Sequence, residues 1–138
     1  MTIAPATFDE LKRRARAAAA YAYAPYSAFP VGAAVLCDGV IYTGANVENA
    51  SFGLSVCAER TAIFTAAAHG ARQVDAVALY TPTPAPATPC GACLQVIAEF
   101  GLEAVILCCT DDERAERRHA LKELLPAAFS AKGLGARI

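Results

Sequence analysis

Four residues could do chemistry together: Cys57 and Glu59 in the run Cys57-Ala58-Glu59, and Cys90 and Cys93 in Pro89-Cys90-Gly91-Ala92-Cys93. They supply three thiolates and one carboxylate. A C-x-x-C pair after a proline and around a glycine is a compact half-site for a tetrahedral metal. Alone, that pair serves thiol redox chemistry equally well. A redox pair has no use for a third cysteine with a glutamate two residues on, and closed structural zinc takes four protein ligands. Three thiolates leave the fourth position of a zinc ion open, and Glu59 can reach that position without itself ligating. The pattern predicts catalytic zinc on Cys57, Cys90 and Cys93 with Glu59 as proton carrier. A redox pair and buried structural thiols are the alternatives.

Three thiolates around Zn²⁺ leave a net charge of about −1, which makes the ion a poorer acid toward water than a site of neutral ligands. Two features offset this. Cys57 and the Cys90/Cys93 pair each fall at the start of a predicted helix, where free N–H groups and the helix dipole favour thiolate. Arg60 follows Glu59 and is placed to donate to a ligand sulfur, drawing charge from the metal. The plainer reading of Arg60 is a surface arginine on an amphipathic helix.

The elements that must position these residues follow from punctuation and period. Thr7 reads as the N-cap of a first helix from Phe8 to Tyr23, with Asp9 and Glu10 in its first turn. Leu11, Ala15, Ala18, Ala19 and Ala22 give its apolar face, and Pro25 stops it. Val31 to Cys37 and Val40 to Thr43 read as two strands joined at Asp38-Gly39, a two-residue hairpin signal. Residues 44–53 read as a loop, Val56 to His69 as a helix closed by Gly70, and Val74 to Tyr80 as a strand. A proline-rich connection, Thr81 to Thr88, leads to a helix from Gly91 to Phe100 and a strand from Ala104 to Cys109. Asp111 to Arg118 reads as a solvated charged excursion, Leu121 to Leu125 as a helical turn, and the last residues as a tail or subunit contact. Strand–helix–strand alternation after the hairpin implies one α/β domain over residues 1–138, its mixed sheet covered by helices on both faces.

The chain has 138 residues, 56% of them hydrophobic and 18% charged, and a net charge of −1. This excludes disorder and disfavours a polynucleotide substrate, whose phosphates call for a clear positive excess. No stretch approaches 18 uninterrupted apolar residues, and the N-terminus has no apolar segment with a cleavage site. A cytoplasmic protein with no membrane association and reduced thiols is expected.

Several runs, in order along the chain, carry a resemblance: Tyr26-Ser27-Ala28-Phe29-Pro30-Val31-Gly32-Ala33-Ala34, Gly44-Ala45-Asn46-Val47-Glu48-Asn49-Ala50, Cys57-Ala58-Glu59-Arg60-Thr61-Ala62, Pro89-Cys90-Gly91-Ala92-Cys93 and Glu123-Leu124-Leu125-Pro126-Ala127-Ala128-Phe129. Together they resemble the small cytidine deaminases. The resemblance implies a three-layer α/β/α sandwich with a mixed, about five-stranded sheet. It implies one Zn²⁺ per subunit and a pyrimidine-salvage hydrolase that converts cytidine and deoxycytidine to uridine and deoxyuridine. It also implies a homotetramer with shared active sites. Asn46 and Glu48 would hold the ribose 3′-hydroxyl, Phe29 would pack on the nucleoside, backbone groups of Ala58 and Pro89 would orient the pyrimidine edge, and Phe129 would reach a neighbour's site. Outside that context, an isolated N-x-E is ordinarily a loop-stabilising turn.

Three departures stand out. Phe52 replaces a tyrosine common in relatives, Leu94 replaces a common arginine, and Cys37, Cys108 and Cys109 have no family role and read as core thiols. The nearest alternative activity is deamination of a related nucleoside such as blasticidin S, which should lack the N-x-E-N loop present here. A non-catalytic zinc protein would need a fourth ligand. The two histidines, His69 and His119, lack ligand spacing and read as solvent-facing helix residues.

Overall fold

One mixed five-stranded sheet of order β2-β1-β3-β4-β5 organises the structure, a computed structural model describing residues 2–135. The elements are α1 (Pro5–Ala18), β1 (Gly32–Cys37), β2 (Val40–Ala45), α2 (Ala58–Ala68), β3 (Ala76–Tyr80), α3 (Gly91–Phe100), β4 (Val105–Cys109), β5 (Arg117–Ala120) and α4 (Leu121–Leu124). β1 pairs antiparallel with β2 and β3, β3 pairs parallel with β4, and β4 pairs antiparallel with β5. Because β2 and β3 both run against β1, they run the same way. The helices that follow them, α2 and α3, therefore begin at the same end of the sheet.

The two sheet faces divide the apolar residues between them. Phe8, Leu11, Ala15 and Ala19 pack on Ala34, Leu36, Ala76, Ala78 and Leu107 on one side. Ala62, Ile63 and Ala66 of α2 and Leu94, Ile97 and Ala98 of α3 pack on Ala33, Val35, Val77 and Ile106 on the other. Burying these alternating strand residues on both faces gives the three layers. Cys37 and Cys108 lie in the second core and Cys109 in the first, and burial pushes their thiols up to about 11, 12 and 11. At the hairpin Asp38 and Gly39 both have positive φ, 51° and 84°, the geometry of a tight two-residue turn. Gly44 is needed for another reason. A Cβ there would collide with the Ala62 backbone and the Thr61 hydroxyl, so glycine lets α2 lie directly on β2.

The structure corrects four expectations. α1 begins at Pro5 with Ala4 as an N-cap that makes no side-chain bond, not at Thr7, because proline at the first helical position supplies the start signal. It also stops at Ala18 and continues only as a 3-10 turn over Ala19–Tyr21. β2 extends to Ala45, two residues into the expected loop. The charged excursion contains β5, an exposed edge strand whose Arg117 and Arg118 are charges suited to an unpaired edge. His119 is therefore a half-buried strand residue rather than a helical one. Residues 136–138 of the expected tail lie outside the described residues. Among the described residues, no helix is long and apolar enough to cross a membrane.

β5 is tied to α1 through Glu116, which accepts from Lys12 Nζ at 2.6 Å and Arg118 Nε at 3.0 Å. The Arg118 guanidinium also sits 4.1 Å from the Phe8 ring centroid. Burial pushes the Glu116 carboxyl up, but the Lys12 and Arg118 hydrogen bonds outweigh it and hold it below its ordinary value. A carboxylate lowered in the folded state stabilises above its unfolded pKa of about 4.3 and ceases to do so as pH falls through the folded value. Glu116→Gln should cost about 1 kcal/mol in thermal melts at pH 7, with the difference from the parent shrinking as pH drops below about 4. A penalty independent of pH would contradict this linkage.

Candidate metal centre and its surroundings

Cys57 is the N-cap of α2 and Cys90 the N-cap of α3, both extended, and Cys93 lies in the first turn of α3. The three sulfurs lie within 4.8 Å of one another, with Cys57 Sγ and Cys90 Sγ 4.0 Å apart. Tetrahedral zinc with Zn–S near 2.3 Å separates two thiolates by about 3.8 Å, so this cradle suits the ion in size and donor type. All six cysteines are free. Burial grades from Cys93, fully buried, through Cys57 to Cys90, which is exposed.

A hydrogen bond from Cys93 lowers Cys57 to about 5, helped by Arg60, while the same contact and burial push Cys93 up. Zinc takes cysteine as thiolate, so metal binding in the cradle releases thiol protons. Arg60 Nη2 donates to Cys57 Sγ at 3.5 Å, and contact with the sulfurs raises its affinity for its proton further. Its Nε is buried with no hydrogen-bond partner. Leu94 is buried in the core beside α2.

Glu59 occupies the first turn of α2 and is only 3% exposed. Burial pushes its carboxyl up to about 7; its own backbone N–H opposes this in part, and the Cys57 thiolate adds to it. A carboxyl near neutrality can both take and give a proton at physiological pH.

The chain leads into this site through residues 46–48, paired on both sides. Tyr23 N donates to Asn46 O at 2.9 Å and Glu48 N to Tyr23 O at 2.8 Å, while Val47 and Val56 exchange two bonds of 2.9 Å. That extended pairing sends Asn46 and Glu48 to one side, as the alternation of a strand requires. It also anchors Val56, and so Cys57, next to the pair. Thr61 Oγ1 lies 2.8 Å from Ala45 O and 2.9 Å from Ala58 O, and its one hydrogen, shared between the two carbonyls, fastens α2 to the end of β2.

Asn46 and Glu48 both hold the segment 26–31. Asn46 donates to Phe29 O at 2.9 Å and accepts from Val31 N at 2.8 Å. Glu48 accepts from Tyr26 N at 3.0 Å, Ser27 N at 3.1 Å and the Ser27 hydroxyl. The loop-stabilising role that an isolated N-x-E suggests is therefore present here. Tyr26, Ser27, Glu48, Phe52 and Ser55 line an open cavity of about 290 Å³, with the Tyr26 and Phe52 rings edge-on at 5.6 Å. Phe29 is 40% exposed, Phe52 73% and Phe129 64%, and Gln95 of α3 donates to Phe129 O at 2.8 Å. Pro89 is buried just before Cys90, and Ala58 opens α2, where its N–H has no partner within the helix. Sequence reasoning gave no role to Ser27, Thr61 or Gln95. For Ser27 the only local signal is a serine two residues before Phe29, the spacing of a serine turn.

The profile described as the cytidine and deoxycytidylate deaminase zinc-binding region matches residues 6–109. The chain belongs to this family. A cytidine deaminase of Sporosarcina psychrophila is 43% identical over 127 residues, covering 91% of this chain and 93% of that protein. One from Mycobacterium tuberculosis is 39% identical over 128 residues, 92% of each. The crystal structure of cytidine deaminase from Burkholderia pseudomallei superimposes with a TM-score of 0.84 at 45% identity, over 88% of this chain and 98% of that one. The layered mixed sheet is thus the family's fold, and the Cys57/Cys90/Cys93 cradle lies within the matched zinc-binding region.

Cys93→Ala should leave the purified protein with little zinc by elemental analysis. Arg60→Ala should still load zinc at excess metal but bind it about tenfold more weakly in competition with a chromogenic chelator. Unchanged affinity in Arg60→Ala would remove the arginine from the metal's support.

Proposed function

We propose that this chain hydrolyses cytidine and 2′-deoxycytidine to uridine and 2′-deoxyuridine with release of ammonia, using zinc held by Cys57, Cys90 and Cys93. The observation that carries this reading is a buried carboxyl, Glu59, in the first turn of α2 two residues from a ligand of a three-thiolate cradle. The names of the relatives supply the substrate class.

Zinc in the cradle would supply Lewis acidity that brings water toward deprotonation near neutral pH. Glu59 accepts the proton of the attacking water, passes it to N3 of the ring as C4 becomes tetrahedral, and helps deliver a proton to the departing amine. Its low exposure keeps that carboxyl from bulk water. Arg60 offsets the negative charge on Cys57. Ala58 N–H and Pro89 C=O orient the pyrimidine edge. Asn46 has a second amide hydrogen and Glu48 further acceptor capacity for the ribose 3′-hydroxyl. Phe29 packs against the nucleoside.

Relatives bearing the cytidine deaminase name, together with the N-x-E-N loop, favour cytidine over blasticidin S. A free nucleoside rather than a polynucleotide fits the net charge of −1. The reading extends to one deaminase domain acting in pyrimidine salvage as a homotetramer, with Phe129 completing a neighbour's site. Exposed Tyr21, Phe52, Leu54, Phe64 and Phe129 support burial against other copies. Six free thiols support a reducing, cytoplasmic setting.

Cytidine should lose its absorbance on incubation with the zinc-loaded protein and keep it after chelation. Glu59→Gln should retain zinc while kcat falls by about 10²–10⁴. A fully active Glu59→Gln protein would refute the assignment.

A further inference from the structure

Within the segment Pro25-Tyr26-Ser27-Ala28-Phe29, the Ser27 hydroxyl sits between two expected nucleoside contacts, Phe29 and Glu48. Ser27 Oγ accepts the Phe29 N–H at 3.1 Å and lies against Glu48 Oε2. A hydroxyl has a single hydrogen, and both Phe29 N–H and the Glu48 carboxylate have fixed roles, as donor and acceptor. The Ser27 proton therefore goes to Glu48, and its lone pair takes Phe29. The turn that permits this has Ala28 N donating to Ala24 O at 3.0 Å and Ala28 in the left-handed region at φ 54°, a conformation an L-residue adopts only when its surroundings impose it.

The rest of the network makes that hydroxyl a junction. Glu48 Oε1 takes Tyr26 N and Ser27 N, and with the Ser27 hydroxyl on Oε2 three of a carboxylate's roughly four acceptor sites are filled. The Ser27 hydroxyl is the largest cause that holds Glu48 ionised, below its ordinary value. What remains is an anionic acceptor with about one open position, bordering the cavity shared by Tyr26, Ser27, Phe52 and Ser55. Such an acceptor suits one hydroxyl donor. Both backbone groups of Phe29 are meanwhile held by side chains, its N–H by Ser27 and its C=O by Asn46.

We propose that Ser27 is a positioning residue that aims the Glu48 carboxylate at the sugar hydroxyl and couples it to the placement of Phe29. This rests on the reading of Glu48 as the ribose contact, and it goes beyond that reading in making the contact's selectivity depend on Ser27. Without the hydroxyl, Oε2 is free to rotate toward water and Phe29 N–H loses its acceptor.

The test compares zinc-loaded parent, Ser27→Ala, Ser27→Thr and Glu48→Ala on cytidine and on 3′-deoxycytidine, which lacks the hydroxyl to be read. Ser27→Ala should lower kcat/KM for cytidine by about tenfold or more, chiefly through KM, and should bring the cytidine to 3′-deoxycytidine ratio close to that of Glu48→Ala. Ser27→Thr, which keeps the hydroxyl, should restore the ratio, and zinc content should not differ among the four proteins. If Glu48→Ala collapses the ratio while Ser27→Ala preserves it, the role of Ser27 is overturned and that of Glu48 stands. If Glu48→Ala itself preserves the ratio, the ribose reading fails and takes this proposal with it.

Discussion

Everything in this structure depends on bringing three like-charged sulfurs to one point. Thiolates repel one another and resist burial, so a cradle this tight needs positive potential from several directions. The fold supplies part of it through topology. β2 and β3 run the same way, α2 and α3 start at one end of the sheet, and each opens on a cysteine N-cap. Free N–H groups at two helix starts then face the same small volume. Gly44 allows the first of those helices to lie close on β2, and Thr61 fastens it there.

The remaining charge balance falls to Arg60, because Leu94 is turned into the core and contributes none. Placing Arg60 and Glu59 side by side in the first turn of α2 separates their surroundings. The guanidinium reaches the sulfurs, while the carboxyl is enclosed and rises toward neutrality. One helical turn thus brings together the proposed ligand Cys57, the proposed proton carrier Glu59 and the arginine that reaches the sulfurs.

Much of this was legible in the sequence, for identifiable reasons. Cys57-Ala58-Glu59 and Pro89-Cys90-Gly91-Ala92-Cys93 use residue types whose chemistry is nearly unambiguous at that spacing, and the Asp38-Gly39 hairpin carries a backbone signal that few residues can give. The start of α1 is ambiguous in the sequence because Thr7 offers a cap and Pro5 a first helical position, and the helix follows the proline. β5 was hidden because Arg117, Arg118 and His119 show no apolar alternation. The strand covers the edge of β4 and is held to α1 by Lys12, through Glu116, and by Phe8, both of which are distant in sequence. The Ser27–Glu48 contact joins residues 21 positions apart through polar groups that leave no periodic trace.

Three thiolates and one non-sulfur ligand should complete the metal's surroundings. X-ray absorption at the zinc edge of the loaded protein tests it most directly. Three sulfurs at about 2.3 Å and one oxygen or nitrogen at about 2.0–2.1 Å are expected. A shell of four sulfurs, or of two sulfurs with two lighter atoms, would contradict it.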